Sequence, residues 1–170
     1  MRLFIAIRFN EEILDALEEI QDDWRMQGVR GNYTKPENLH LTLAFIGEYS
    51  DPEFIKELIA QVRFDPFLLK LQGVGSFGRL WWAGVSESAQ MKSAVRQLRH
   101  LLAEADVPFD RKKFSPHITL VRKPEVPKGL ARGSGDVLVP AAVPKAGMIV
   151  DHISLMRSDR GKNGMIYTEI

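Results

Sequence analysis

The chain has 170 residues, and four of them repeat a pattern that can do chemistry. His40 and Thr42 stand in Leu39-His40-Leu41-Thr42-Leu43, and His117 and Thr119 in Pro116-His117-Ile118-Thr119-Leu120. Strand side chains face opposite ways in turn and advance about 3.3 Å per residue. Each histidine therefore shares a face with its threonine about 7 Å away, while the leucines and Ile118 point into an apolar layer behind. An imidazole with an ordinary pKa near 6.5 populates both protonation states near neutrality. If both strands open on one cleft, a neutral histidine can take a proton from water while a protonated one gives a proton to a departing sugar oxygen. The hydroxyls can donate hydrogen bonds to the non-bridging oxygens of a phosphodiester, whose charge changes in the transition state. One His-x-Thr occurs by chance; two copies in matching apolar strands, in a chain with 4 histidines, mark a site. His100 falls in a helical segment, and His152, with Ser154 two residues on, is the weaker candidate for lining the cleft.

The elements that must position these groups follow from periodicity and capping. Leu3 to Ile7 is an apolar strand, and Asn10 caps a helix whose Ile13, Leu14, Leu17, Ile20 and Trp24 recur at helical spacing. Leu39 to Ile46 is a second strand, and Asp51-Pro52 opens a second helix. Phe67 to Gln72 and Leu80 to Val85 are strands around a glycine-rich connection, followed by a helix over Ala89 to Ala105. The strand Ile118 to Val121, a loop from Lys123 to Gly135, and strands near Val137 to Val139, Met148 to Met156 and Met165 to Glu169 complete the chain. This order predicts an α+β fold: two pseudo-symmetric lobes with mainly antiparallel sheets around a central cleft, helices on the outer faces, and one bilobal domain over residues 1–170. Gly73-x-Gly75-x-x-Gly78 matches the dinucleotide fingerprint, but the residues after it form a strand rather than the required helix. Gly161-Lys162 lacks the spacing of a P-loop.

Composition narrows the classes. The chain has no cysteine, which excludes disulfides, thiolate metal sites and a cysteine nucleophile. A net charge of +1 argues against a protein that coats nucleic acid electrostatically. Basic residues nevertheless concentrate between 108 and 132, where Arg111, Lys112, Lys113, Arg122, Lys123, Lys128 and Arg132 outnumber Asp110 and Glu125. The apolar run near the amino terminus is too short for a signal peptide or a membrane span, which predicts a cytoplasmic protein with no membrane partner.

The paired His40-Leu41-Thr42-Leu43 and His117-Ile118-Thr119-Leu120 motifs resemble the signature of the 2H phosphoesterases. The opening Arg2-Leu3-Phe4-Ile5-Ala6-Ile7, the segment Glu37 to Glu48, Gly73 to Gly78 and the strand ending in Arg122 narrow the resemblance. They are similar to the RNA 2′,3′-cyclic phosphodiesterases, also called 2′-5′ RNA ligases; residues 124–147 carry no landmark of that family. The resemblance implies that His40 is the proton donor to the 3′ leaving oxygen and His117 the proton acceptor that activates water. It implies that Thr42 and Thr119 hold the phosphate, that the product is a 2′-phosphate, and that RNA ends or nucleotides with a 2′,3′-cyclic phosphate are the partners. The two motifs are too alike for the residues alone to tell acid from base. Arg122 follows His117 at an odd spacing, which a regular strand would turn away; a bend at the strand end would bring it to the phosphate. Tyr33 and Phe77, read as loop aromatics, are candidates for stacking on a base. No cofactor, metal or obligatory protein partner is expected, and the chain is read as a monomer. Two rivals remain. A zinc hydrolase lacks a His-Glu-x-x-His motif, and threonines are poor zinc ligands. A non-catalytic RNA-end or nucleotide-binding module would use the same cleft without turnover.

Overall fold

In the computed structural model, which describes residues 1–129 and 137–170, three helices pack against two sheets. The first sheet has the order β3-β1-β8-β9, with β1 at Arg2–Ile7, β3 at Leu41–Glu48, β8 at Ser154–Gly161 and β9 at Gly164–Glu169. The second has the order β2-β6-β5-β4-β7, with β2 at Arg30–Tyr33, β4 at Phe67–Phe77, β5 at Leu80–Val85, β6 at Ile118–Glu125 and β7 at Gly147–Val150. The helices are α1 (Glu11–Met26), α2 (Pro52–Ile59) and α3 (Ala89–Glu104). The ladders within both sheets are antiparallel, so the fold is the expected α+β arrangement of two mainly antiparallel lobes.

Each helix starts where its sequence provides an acceptor for an orphan N–H. The side chains of Asn10, Asp51 and Ser88 accept from the N–H groups of Ile13, Phe54 and Met91. The stripe Ile13, Leu17, Ile20 and Trp24 of α1 is fully buried, and Trp24 meets Trp81 of β5 edge-on at 5.1 Å. Trp24 Nε1 also donates to the carbonyl of Val139, which closes the polar end of the indole.

Several elements differ from the sequence expectation. Residues 30–33, expected between elements, form β2 against β6; Gly31 lies there because a Cβ would come within 2.7 Å of Val121 Cγ2. That glycine makes room for a neighbour rather than ending a structure. The glycine-rich stretch after Gln72 continues β4 to Phe77, since a Cβ on Gly75 would overlap the Trp82 indole at 2.2 Å. Val137 to Val139 is not a strand: buried Val139 sits in irregular chain with its carbonyl on Trp24. The stretch Met148 to Met156 breaks at residues 151–153 into β7 and β8, which belong to different sheets. The loop expected from Lys123 begins later, since β6 runs to Glu125. Its residues 130–136, Arg132 among them, lie outside the described residues. No helix among the described residues is long and apolar enough to cross a membrane.

Candidate active site

β3 and β6 lie in different sheets and present their motifs to one cleft of about 410 Å³. His40, Thr42, His117, Thr119 and Arg122 all line it. Each ladder begins one residue after its histidine, at Leu41 and Ile118, so the imidazoles sit at strand entrances rather than within strands. That position lets each ring fold back on the chain before it. His40 Nδ1 lies 2.7 Å from the carbonyl of Asn38, and His117 Nδ1 lies 2.7 Å from the carbonyl of Ser115. A carbonyl only accepts, so both Nδ1 atoms carry hydrogen, and Nε2 is the nitrogen left to take or give a proton.

The surroundings of the two rings are alike in kind. Phe4 and Tyr167 flank His40, with centroids 4.9 and 5.2 Å away. Phe77 and Trp82 flank His117 at 5.0 and 6.4 Å. His40 Nε2 accepts from the Thr42 hydroxyl at 2.9 Å, whereas His117 Nε2 has no protein partner among the described residues. Burial holds the His40 pKa below its ordinary value; the Asn38 carbonyl works against that, and the nearby charges of His117 and Arg122 add to it. Asn38 is itself buried, and its Nδ2 donates to the carbonyl of Met165 in β9 at 2.9 Å. The turn that orients His40 is thereby tied to the far edge strand of its sheet.

Arg122 reaches the cleft by a route other than a bend at the strand end. In the β5–β6 ladder Leu80 faces Arg122, Trp81 faces Val121 and Trp82 faces Thr119, so Leu120 has no opposite number. This bulge shifts the alternation by one, buries Leu120 and Val121 together, and turns Arg122 to the side of Thr119. The β1–β3 ladder repeats the device: Phe4 faces Phe45, Ile5 faces Ala44 and Ala6 faces Thr42, and Leu43 is skipped. Phe45, five residues after His40 as Arg122 is after His117, consequently lines the cleft too, beneath the Arg2 guanidinium at 5.7 Å.

Phe77 stands in β4, with its ring edge on His117 and nearly half its surface exposed. Tyr33 lies in β2, donates its hydroxyl to the Val29 carbonyl and carries the Arg25 guanidinium 4.2 Å from its ring centroid. It is not among the residues that line the cleft. His100 and His152 are mostly exposed; His100 lies near Glu104, and His152 pairs with Asp151. Among the described residues no three His, Asp or Glu side chains gather as metal ligands would. Sequence reasoning passed over Phe4, Asn38, Phe45 and Tyr167. For Phe45 a signal existed: aligning the two motifs puts it opposite Arg122.

A profile of the 2′-5′ RNA ligase superfamily matches residues 11–162. The chain is 31% identical over 176 residues to the RNA 2′,3′-cyclic phosphodiesterase of Thermotoga maritima, covering 98% of this chain and 91% of that one. It is 32% identical over 169 residues to the enzyme of the same name from Aeropyrum pernix, covering 91% of this chain and 92% of that one. Among solved structures, E. coli LigT complexed with 3′-AMP superposes with a TM-score of 0.83 at 26% identity, over 99% of this chain and 94% of that one.

Proposed function

The chain belongs to the 2′-5′ RNA ligase superfamily of 2H phosphoesterases, and from that premise we propose that it hydrolyses terminal RNA 2′,3′-cyclic phosphates to 2′-phosphomonoesters. The observation that carries this reading is the pairing of two imidazoles, each with Nδ1 engaged and Nε2 facing a cleft that Thr42, Thr119 and Arg122 also line. His117 Nε2 takes a proton from water as the water oxygen bonds to phosphorus. The bond from phosphorus to O3′ breaks, and protonated His40 Nε2 gives its proton to O3′. The product carries a free 3′-hydroxyl and a 2′-phosphate. Exchange with solvent then returns a proton to His40 and removes one from His117. The Thr42 and Thr119 hydroxyls and the Arg122 guanidinium hold the non-bridging oxygens, where fixed donors favour the more charged transition state.

Burial draws His40 toward its neutral form, and an anionic phosphate beside it favours the protonated form that the acid role needs. The scheme asks for no cofactor, metal or second chain; the protein is read as a cytoplasmic monomer acting on RNA ends, and 2′-5′ joining is the reverse reaction, a side activity. The deciding experiment incubates the protein with a nucleoside 2′,3′-cyclic phosphate, with and without EDTA, and follows the product by phosphorus NMR. The expected result is EDTA-resistant formation of the 2′-phosphate. Binding without turnover would instead identify a non-catalytic RNA-end module, and activity abolished by EDTA a metal enzyme.

A further inference from the structure

The histidine cleft continues past Arg122 into a second, open groove of about 510 Å³, which shares Thr42, Phe45, His117 and Arg122 with it. The wall of this groove is the segment from Asp110 to Ser115, which leads from α3 into β6. Its backbone is held firmly. Arg99 of α3 donates from Nη1 to the Lys112 carbonyl at 2.6 Å and from Nη2 to the Leu43 carbonyl at 3.3 Å. The Asp110 N–H donates to the Phe45 carbonyl, and Asp110 Oδ1 accepts from the Lys112 N–H. The side chains of Lys112 and Lys113 project from this fixed backbone into solvent. Among the described residues, no ion pair engages Lys112, Lys113 or Arg122.

Unpaired cations on a rigid loop, beside the exposed ring of Phe77, suit a single-stranded nucleic acid: charges for its backbone and an aromatic face for a base. A 2′,3′-cyclic phosphate occupies both lower hydroxyls of the terminal ribose, so the strand can leave the cleft only through the 5′ oxygen. A smaller extension of about 270 Å³ opens on the other side, beside Asn38 and Tyr167. Lys35 and Lys162 line it with Glu37 among them, Lys35 is bonded to the Asn163 carbonyl, and the volume of this extension is about half that of the groove along Lys112 and Lys113. We propose that the groove along Lys112 and Lys113 binds the RNA strand immediately 5′ of the cyclic phosphate, with these lysines on its backbone phosphates. The inference rests on the cyclic phosphodiesterase reading and adds to it a strand-binding site, which makes RNA strands better substrates than mononucleotides.

The test compares adenosine 2′,3′-cyclic phosphate with a five-nucleotide RNA carrying the same terminus, in wild type and in a Lys112→Glu/Lys113→Glu double variant. Both lysines are exposed, so the variant is expected to fold, which circular dichroism checks. Turnover of the mononucleotide stays within about twofold, while kcat/KM for the pentanucleotide falls about ten- to a hundredfold. The salt dependence of the pentanucleotide reaction flattens by a log–log slope of about 0.7 for each phosphate that the lysines no longer neutralise. Equal losses on both substrates, or none on either, overturn the groove. If wild type turns over neither substrate, the cyclic phosphodiesterase reading has failed, and the groove is judged by anisotropy of the 5′-labelled pentanucleotide. The variant must then raise the Kd by the same factor; an unchanged Kd overturns the proposal.

Discussion

Leu43 and Leu120 occupy one and the same place in two strands: each is the residue skipped by its neighbouring ladder, and each gives its carbonyl to a side chain from a helix behind the sheet. Leu43 O accepts from Arg99 of α3, and Leu120 O accepts from Gln21 of α1. The Leu120 carbonyl also accepts from the Thr34 N–H, so Gln21 supplies a second donor there and braces the chain at the bulge. The two bulges set the facing of Phe45 and Arg122, which places Gln21 and Arg99 one step behind the cleft.

Gln21 is almost fully buried, and its Nε2 donates to both the Thr34 and Leu120 carbonyls. A Gln21→Met substitution keeps the bulk and removes both bonds. It should cost about 1–3 kcal/mol of stability in urea unfolding, the usual net worth of two hydrogen bonds, with the Leu120 carbonyl keeping the Thr34 N–H. It should also lower turnover beyond any loss of folded protein, because the bulge that aims Arg122 relaxes. Undiminished stability would mean that the two Gln21 bonds contribute nothing net to the fold.

Arg122 itself should matter through geometry as well as charge. Arg122→Ala is expected to reduce kcat/KM about ten- to a thousandfold, as loss of a transition-state charge donor does. Arg122→Lys should recover only part of that, since an ammonium cannot offer the guanidinium's paired donors. Full recovery by lysine would reduce the role to a point charge.

How much of this could be read from the letters differs from element to element. The histidine–threonine pairs and the starts of α1 and α2 were legible, because alternation and the N-caps Asn10 and Asp51 are local, whereas the Ser88 cap of α3 was passed over. The facing of Arg122 was not: a rule of strict alternation cannot register an extra residue, although the adjacent apolar pairs Leu43-Ala44 and Leu120-Val121 were its trace. β2 escaped because Arg30 to Tyr33 shows no apolar alternation, and the small size of Gly31 answers to Val121 on a strand distant in sequence. Phe4 and Tyr167 come from β1 and β9, near opposite ends of the chain, and only folding brings them against His40.

The two histidines should be separable by the leaving group. Either alanine variant should lose about 10²–10⁴ in rate on a natural cyclic phosphate. A substrate whose 3′ bridging oxygen is replaced by sulfur leaves as a thiolate and has little need of a proton. With it, His40→Ala should approach the wild-type rate while His117→Ala stays impaired. The opposite pattern would exchange the two roles.

The depressed pKa of His40 has two consequences for pH. An unfolded histidine protonates near its ordinary value of about 6.5, and the folded one only at lower pH, because burial and then the charges of His117 and Arg122 oppose its cation. Between those two values the unfolded chain binds the extra proton, so stability is whole above the ordinary value and declines as pH falls through the folded one. An Arg122→Ala variant should move the folded titration upward, as followed by NMR of the imidazole. In catalysis, His40 must be protonated to serve as the acid, so burial of its ring lowers the fraction of free enzyme that is competent near neutrality. A phosphate anion bound beside His40 stabilises the imidazolium, so the His40 titration followed by NMR should lie at higher pH with inorganic phosphate bound than without it. An unmoved or lowered titration would show that the anion does not sit beside this ring.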